Sequence, residues 1–446
     1  MAMLAKVNDK ERELYKIYLQ SLCETIDVLI SEDLVKYQEL EKNFKTRAKL
    51  LEARPESAET LFLQAELSLQ KGFNLINLGQ EINAVIAIRQ AYGFVQDCQK
   101  KYPGFIPVKK TSGVIQVMVG AVPDKFHWFI SLLGMKGSVV TGQKQLDELR
   151  GSGVSLNLEA TILYYTIKGL INQQIDEAAK GLTEKLKSDP NNRLLMFLAV
   201  NMLMKNSQSE EAYRLIQNLD INNSGITLPY IEYLRGEILL QKNRYDEAIL
   251  AYQKFIKIYK ADSFKKDAHL KISLCYYLSD KIPLAKVFWD KAIQTGKAQA
   301  EPDVYAAALL ADKPFPNAKI LKARFYTDGG YYKEAKAMMQ SIVLTELKTY
   351  KDQVEYYYRK ARLSHKTHDY NAAKLFYMQS IDMTADNPWY FGANSALQLG
   401  YIYQASGDYA SARNYFDKAL AYKKHEYKNS IDSKAKSALE QLEGKK

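Results

Sequence analysis

The chain has 446 residues, of which 47% are hydrophobic and 25% charged. Only 11 prolines and 22 glycines are present, which excludes long disordered linkers. Lys and Arg number 62 against 51 Asp and Glu, a net charge of +11. Because the signs alternate along most segments, solvated helix faces are favoured over a concentrated nucleic-acid-binding stripe. The length exceeds the ~100–200 residues of one domain, unless repeats pack only on their neighbours.

Cysteines and apolar segments give little sign of a special compartment. Cys23, Cys98 and Cys275 are far apart without a CxxC pair, and their apolar helical surroundings predict buried thiols. The longest uncharged apolar run, residues 113–123, is shorter than the ~20 residues of a transmembrane helix. The opening Met-Ala-Met-Leu-Ala is too short for a signal-peptide core. A cytoplasmic location is therefore favoured, or an exported, periplasmic one if an upstream signal is missing.

The N-terminal part of the chain, residues 1–150, is predicted to be a helical cap. Apolar residues recur at three- and four-residue spacing in four runs, which predicts paired helices without a repeat signature. These runs cover residues 14–30, 34–51, 58–69 and 80–102.

A glycine-rich apolar stretch follows within this cap. Residues 112–135 predict two close-packed helices, with Pro123 turning the chain between them. We expect this pair to pack inside the protein, against residues 80–101 and 157–170. Exposure of Trp128 and its apolar neighbours would instead indicate a membrane or partner interface.

The last third of the chain contains the clearest repeated unit. Leu399-Gly400 and Tyr403 precede a Gly407-Asp408 turn, which is followed by Tyr409, Ala412, Phe416 and Ala419. Small residues at this spacing allow two helices to approach, and large residues fill the spaces between them. The unit closely resembles the tetratricopeptide repeat, whose period is 34 residues.

The alanine of the second helix marks the same unit further upstream. The steps between these alanines are 34, 36, 37, 50, 38 and 39 residues. The 50-residue step contains an insertion around residues 299–316, where three prolines are expected to break helical structure. We predict an all-α solenoid of tetratricopeptide-like hairpins over residues 157–425, with a C-terminal helical tail at 426–446. The marker residues are Ala178, Ala212, Ala248, Ala285, Ala335, Ala373 and Ala412.

A finer resemblance joins the glycine-rich stretch to a known family. The stretch is similar to the inclusion-body clearance proteins and to related outer-membrane tetratricopeptide proteins, here as a bacterial-type relative. That resemblance implies a helical adaptor without an active site. The matching residues are Val119-Gly120-Ala121, Pro123, Leu132-Leu133-Gly134, Gly137, Gly142 and Gln145-Leu146.

The sequence contains no arrangement typical of catalysis, and we expect neither a cofactor nor a metal. Gly137 to Lys144 resembles a P-loop, but Gln143 stands where the phosphate-binding lysine is needed. His365 and His368 have helical spacing for a metal pair, but metal sites require three or four ligands. These features predict tight helix packing and surface histidines.

Function is therefore expected in protein binding by a non-catalytic scaffold. In tetratricopeptide proteins the first helix of each unit lines the concave groove, and the resemblance implies the same here. Tyrosines and arginines in such a groove suit a peptide that carries acidic groups or a free C-terminus. The alternatives are tyrosines that merely fill space, a membrane-peripheral adaptor that uses residues 112–135, and a subunit of an enzyme complex. The predicted groove residues are Tyr230, Tyr233, Leu240, Tyr277, Asn317, Arg324, Tyr358, Arg362, Asn394 and Tyr401.

Overall fold

The computed structural model describes residues 13–122, 133–221, 226–296, 298, 300–311 and 315–444. The regular structure of these ranges is helical and contains no β-strand, which confirms the all-α prediction. None of the helices described combines the length and the apolar character needed to cross a bilayer. The chain forms two compact units: Met1–Ile167 with Ile226–Leu228, and Lys168–Gly225 with Pro229–Lys446.

The first unit consists of long helices that follow the predicted apolar runs. Ser57 caps the third helix in a reciprocal capping box with Thr60, which satisfies two backbone donors at the helix start. The helices are α1 (Glu13–Ser31), α2 (Leu34–Glu52), α3 (Ala58–Asn77), α4 (Glu81–Lys101), α5 (Val108–Gly120), α6 (Val139–Arg150) and the first part of α7 (Asn157–Leu170).

Glycines bring α5 and α6 into backbone contact. A Cβ atom at Gly142 would lie 2.4 Å from the carbonyl oxygen of Gly113, and one at Gly137 would lie 2.5 Å from Val119 Cβ. Val114 and Ile115 of α5 are buried in a core that α4 shares. Inward packing is confirmed for this part of the apolar stretch; residues 123–132, with Trp128 and Phe129, lie outside the described residues.

A buried ion network joins four helices of the first unit. Lys110 on α5 lies 2.7 Å from the Glu66 carboxylate on α3 and also contacts Glu159 on α7 and Tyr18 on α1. Such a charge is tolerated in a core because its carboxylate partners are buried with it. This network therefore connects the four helices through one buried ammonium group.

The cysteine prediction is correct for two residues and wrong for the third. Cys98 and Cys275 are buried, whereas Cys23 is exposed. The buried side chains of α1 include Tyr18 and Thr25, and helical geometry places position 23 on the opposite face.

The second unit consists of helical hairpins followed by a final helix. Its helices are the end of α7, α8 (Ile175–Ser188), α9 (Arg193–Lys205), α10 (Ser209–Ile221), α11 (Tyr230–Gln241), α12 (Tyr245–Ile258), α13 (Lys265–Leu278), α14 (Ile282–Gln294), α15 (Glu301–Ala311), α16 (Ala318–Gly329), α17 (Tyr332–Gln340), α18 (Tyr350–Lys366), α19 (Tyr370–Thr384), α20 (Tyr390–Ala405), α21 (Tyr409–Ala421) and α22 (Lys428–Gln441).

The repeat prediction is confirmed by the burial of its marker residues. All seven second-helix alanines have 0% of their surface exposed. At Gly400 a Cβ atom would lie 2.4 Å from the Phe416 ring, so the two helices of this hairpin require glycine there. Gly407 adopts φ +82° in the following turn, as its turn prediction requires.

The insertion between the fourth and fifth marker alanines is helical, and the prediction that its prolines break helical structure is wrong at Pro302. Pro302 is the second residue of α15, where a backbone N–H has no helical partner to lose. Asp303 of α15 accepts hydrogen bonds from the backbone of Phe264 (2.6 Å) and Asp267 (3.0 Å) at the start of α13. The insertion is therefore part of the fold of the second unit.

The second unit curls so that distant hairpins meet. Helix α16 packs against α11 and α9, which precede it by several helices. A Cβ atom at Gly330 would lie 2.0 Å from the carbonyl oxygen of Ser207, and the Tyr331 hydroxyl donates to Glu210 over 2.7 Å. This curvature brings the end of α9 close to the later repeats.

Candidate functional site

A cavity of about 1190 Å³ lies within the second unit. Three first helices of hairpins, α16, α18 and α20, contribute side chains to it, and α22 contributes further ones. Residues within 169–177 and 205–208 also line it. Because these segments are far apart in sequence, the cavity depends on the curvature of the unit.

Five predicted groove residues line this cavity: Arg324, Tyr358, Arg362, Asn394 and Tyr401. The Tyr358 hydroxyl accepts a hydrogen bond from the Asn394 amide, and both residues belong to neighbouring first helices. Arg362 donates to the Gln398 side chain over 3.2 Å. The structure therefore brings together the predicted residues of α16, α18 and α20.

Two donors in the cavity lining are buried without a hydrogen-bond partner among the described residues. They are the Nε atom of Arg324 and the hydroxyl of Tyr401. Arg324 is otherwise engaged, since its guanidinium lies 4.9 Å from the Tyr305 ring centroid and 3.6 Å from Asp328. Unsatisfied donors that line a cavity are suited to an acceptor supplied by a ligand.

The other predicted groove residues do not line this cavity. Tyr233 is buried and donates to Asp267 over 2.6 Å, and Tyr230 stacks on it with ring centroids 5.0 Å apart. Leu240 is fully buried. These side chains occupy the interior of the hairpins.

The two remaining predicted groove residues, Tyr277 and Asn317, lie at the end of the insertion. Tyr277 packs against it, and Asn317 follows it directly. The Tyr277 ring stacks on Phe315 at 4.6 Å, and its hydroxyl donates to the Pro316 carbonyl over 3.1 Å. Asn317 caps α16 by accepting from Lys319 and Ile320. These residues stabilise the fold instead of facing an open groove.

Several cavity residues were missed by the sequence analysis. Arg359 and Lys366 line it from α18, and Lys205 and Lys434 line it from α9 and α22. Arg359 is paired with Glu355 at 2.7 Å and donates to the Tyr390 hydroxyl over 2.8 Å. Lys366 lies one helical turn beyond Arg362, a spacing that the sequence displays. The positions of Lys205 and Lys434 follow only from the curvature.

The electrostatics of the cavity are dominated by positive charge. Burial and, next in size, the neighbouring Arg362 lower the pKa of Lys366 to about 8. Burial also lowers the pKa of Lys434, with Lys205 contributing to the same direction. The pKa of His365 falls to about 3, first through burial and then through Arg362, so this imidazole is neutral at pH 7. A bound anion would relieve this repulsion.

The acidic side chains in the lining are largely engaged elsewhere. Asp176 is paired with Lys180 at 2.8 Å, and Glu177 is paired with Lys168 at 2.5 Å. Asp328 lies beside Arg324. The cationic groups on α18 and α22 therefore outweigh the available carboxylates.

The histidine pair of this region is held by tyrosines. His365 Nδ1 lies 3.3 Å from the Tyr377 hydroxyl, and His368 Nδ1 lies 3.0 Å from the Tyr370 hydroxyl. The described residues contain no cluster of three His, Cys, Asp or Glu side chains arranged to hold a metal ion.

Three segments of the chain match the tetratricopeptide repeat model: residues 233–262, 354–387 and 393–425. They coincide with the hairpins α11–α12, α18–α19 and α20–α21. Two of the three contribute to the cavity. The chain therefore contains tetratricopeptide repeats, and the cavity lies partly between them.

Solved structures with similar helical repeats are distant. The apo form of the quorum sensor NprR from B. thuringiensis is 15% identical, with 84% of this chain and 100% of that chain covered and a TM-score of 0.41. The human IFIT1 dimer with PPP-AAAA is 14% identical over 93% and 95% of the two chains, with a TM-score of 0.36. The P58(IPK) TPR domain is 15% identical over 86% and 99%, with a TM-score of 0.24.

Proposed function

We propose that this protein is a non-catalytic interaction scaffold that binds an acidic peptide of a partner protein in the cavity of its second unit. The observation that carries this proposal is the convergence of cationic and hydrogen-bonding side chains on one cavity between tetratricopeptide hairpins. Solenoids of this type use extended concave surfaces for binding. The size of the cavity suits a short segment of peptide, with the remainder of the chain continuing over the repeats.

The chemistry of the lining favours a peptide with acidic side chains. Arg362 presents a planar fork of donors, which pairs with a carboxylate through two hydrogen bonds. Tyr401 supplies a buried hydroxyl without a partner among the described residues, and Asn394 supplies an amide. Tyrosine adds a large contact area at a low cost in side-chain entropy. A peptide that brings acceptors therefore gives the Tyr401 hydroxyl a partner and adds a charged partner to Arg362.

Direct binding of defined peptides tests this function. Fluorescence anisotropy would compare degenerate Asp/Glu-rich peptides with Lys-rich peptides of the same length. We expect the acidic pool to bind and the basic pool not to bind. Arg362→Gln should weaken binding roughly tenfold, because one bidentate, charge-assisted contact is lost. The helical circular-dichroism signal should be unchanged.

A matched arginine controls for loss of charge alone. Arg244 lies outside the cavity lining and is paired with Glu247 on the protein surface. Arg244→Gln removes the same charge and should leave peptide affinity unchanged. Equal binding of acidic and basic pools, or equal losses in the two variants, would contradict the proposed function. Arg324 is less suitable, because its removal also breaks the contact with Tyr305.

Membership of the inclusion-body clearance and outer-membrane tetratricopeptide family is also a proposal. The described residues that carry it, Gly120, Gly137 and Gly142, sit where α5 and α6 touch. Their packing supports a structural origin for the pattern. The burial of Val114 and Ile115 supports a scaffold over a membrane-peripheral adaptor, because these apolar side chains are already covered. Liposome sedimentation with the whole chain separates the two, since the scaffold predicts no binding to lipid.

A further inference from the structure

We infer that the cavity contains a subsite for a phosphoryl group, presented by a phosphorylated side chain of the bound peptide. This inference rests on the proposed function, because it names the group by which the peptide is recognised. Three separate helices contribute cations to the same lining. Arg362 and Lys366 lie one turn apart on α18, Lys434 lies on α22, and Lys205 ends α9.

Among the described residues, Lys366 and Lys434 have no carboxylate partner of the kind that Lys428 has. No carboxylate among the described residues lies within ion-pair distance of Lys366 or Lys434. By contrast, Lys428, on the same helix as Lys434, lies 2.6 Å from Asp432. Two carboxylates that share the lining, Asp328 and Glu301, leave the excess of positive charge in place. The cavity lining therefore contains more cationic side chains than carboxylates.

Burial makes this arrangement costly in the absence of a ligand. The pKa values of Lys366 and Lys434 are both lowered, first by burial and then by neighbouring cations. Functional sites commonly carry such strain because a ligand relieves it. An anion placed between α18 and α22 would stabilise the charged state of both lysines and raise their pKa values.

The number of cations favours a doubly charged anion over a single carboxylate. A phosphorylated side chain carries about −1.5 to −2 charges at pH 7 and three strong acceptor oxygens. A carboxylate would neutralise one cation, and the remaining cations would still repel one another. The Tyr401 hydroxyl, buried without a partner among the described residues, provides a further donor in the lining. Because the free cations converge on one cavity and do not follow a stripe, a peptide is favoured over a nucleic-acid backbone.

Matched peptide pools test the subsite. Fluorescence anisotropy with the whole chain would compare degenerate peptides that carry a fixed phosphoserine, serine or glutamate at the centre. We expect the phosphoserine pool to bind at least roughly tenfold more tightly than the serine pool, with the glutamate pool between them. Lys366→Gln and Lys434→Gln should each reduce this preference severalfold. Inorganic phosphate should compete for the site.

Lys360→Gln is the control, because Lys360 lies on α18 outside the cavity lining, with its ammonium 4.3 Å from the Phe376 ring centroid. It should leave the phosphoserine preference unchanged. Thermal melting of the three variants checks that each is folded. Neutralising a crowded lysine should not lower the melting temperature. With the melting temperature unchanged, a loss of binding cannot be assigned to unfolding.

The outcomes separate this inference from the proposed function. Equal binding of phosphoserine and serine pools, or a preference that survives both lysine changes, overturns the phosphoryl subsite. If acidic pools still bind and Arg362→Gln still weakens them, the proposed function stands without it. If no peptide binds, the proposed function fails as well. If a 5′-phosphorylated oligonucleotide binds and the peptides do not, the inference that a peptide presents the phosphoryl group is wrong.

Discussion

The predicted groove has two halves with the same repeat pattern. Side chains of one half are covered by other parts of the protein, and side chains of the other half line the cavity. We call Tyr230, Tyr233, Tyr277 and Asn317 the filled half, and Arg324, Tyr358, Arg362, Asn394 and Tyr401 the open half. In the filled half, hydroxyl groups are paired with Asp267 and with the Pro316 carbonyl. In the open half, the Tyr401 hydroxyl and the Arg324 Nε atom have no hydrogen-bond partner among the described residues.

One insertion accounts for the covering of Tyr277, whereas Tyr230 and Tyr233 pack within the interior of the hairpins. Residues between α14 and α16 fold back as α15, where Asp303 holds the start of α13, and Phe315 then covers Tyr277. Asp303 is needed because the residue before α13, Phe264, has a left-handed backbone (φ 65°) and provides no side-chain cap. A repeat position thus predicts where a side chain points, but an insertion decides whether a ligand can reach it.

The largest effect should come from releasing the insertion. Asp303→Ala removes two charge-assisted hydrogen bonds from the start of α13, so we expect unfolding free energy to fall by roughly 2–4 kcal/mol. Asp303→Asn keeps an acceptor and should lose less. Chemical denaturation measures both. An unchanged midpoint in Asp303→Ala would show that the insertion does not stabilise the filled half.

Glycine-to-alanine changes should affect the repeats of both halves equally. A Cβ atom at Gly236 would lie 2.7 Å from the Tyr252 ring, and one at Gly400 would lie 2.4 Å from the Phe416 ring. Overpacking of this kind costs about 1–3 kcal/mol. Thermal melting of Gly236→Ala and Gly400→Ala should show comparable losses. A large loss at only one site would mean that the halves differ in packing as well as in covering.

Binding in the open half should depend on pH in the alkaline range. Lys366 has a pKa of about 8 in the free protein, lowered by burial and by Arg362. Its charge is lost as the pH rises from about 7 to 9, while a phosphoserine ligand stays doubly charged, so affinity should fall up to about tenfold. Lys366→Gln should flatten this profile. Anisotropy titrations across that range would reject the account if wild type and variant had parallel profiles.

The smallest effects should come from removing single hydroxyls. Tyr233→Phe removes the hydroxyl that donates to the buried Asp267 carboxylate, so a loss of about 1–2 kcal/mol in stability is expected, with unchanged peptide affinity. Tyr401→Phe removes a hydroxyl without a partner among the described residues and should cost almost no stability, while peptide affinity declines. Denaturation and anisotropy together test this reversal. Matching stability losses in both variants would argue against an open half.

Local pattern predicted much of the fold but only part of the cavity. Ala412, Gly400 and the Gly407 turn were predictable because contacts within a hairpin repeat with the sequence. Lys366 could have been predicted as a cavity residue, since it follows Arg362 by one helical turn. Lys434 was not, because its place in the cavity depends on how far successive hairpins rotate, and short-range spacing does not encode that rotation.

Site-specific photocrosslinking tests directly whether a ligand reaches the open half and not the filled half. Benzoylphenylalanine would replace Tyr401 in the open half or Tyr277 in the filled half, each in the whole chain with the bound phosphoserine peptide pool. Both tyrosines are partly exposed, so the comparison isolates access to the ligand. The account predicts a peptide crosslink at position 401 and none at position 277. A crosslink at position 277, or none at position 401 despite measured binding, would contradict it.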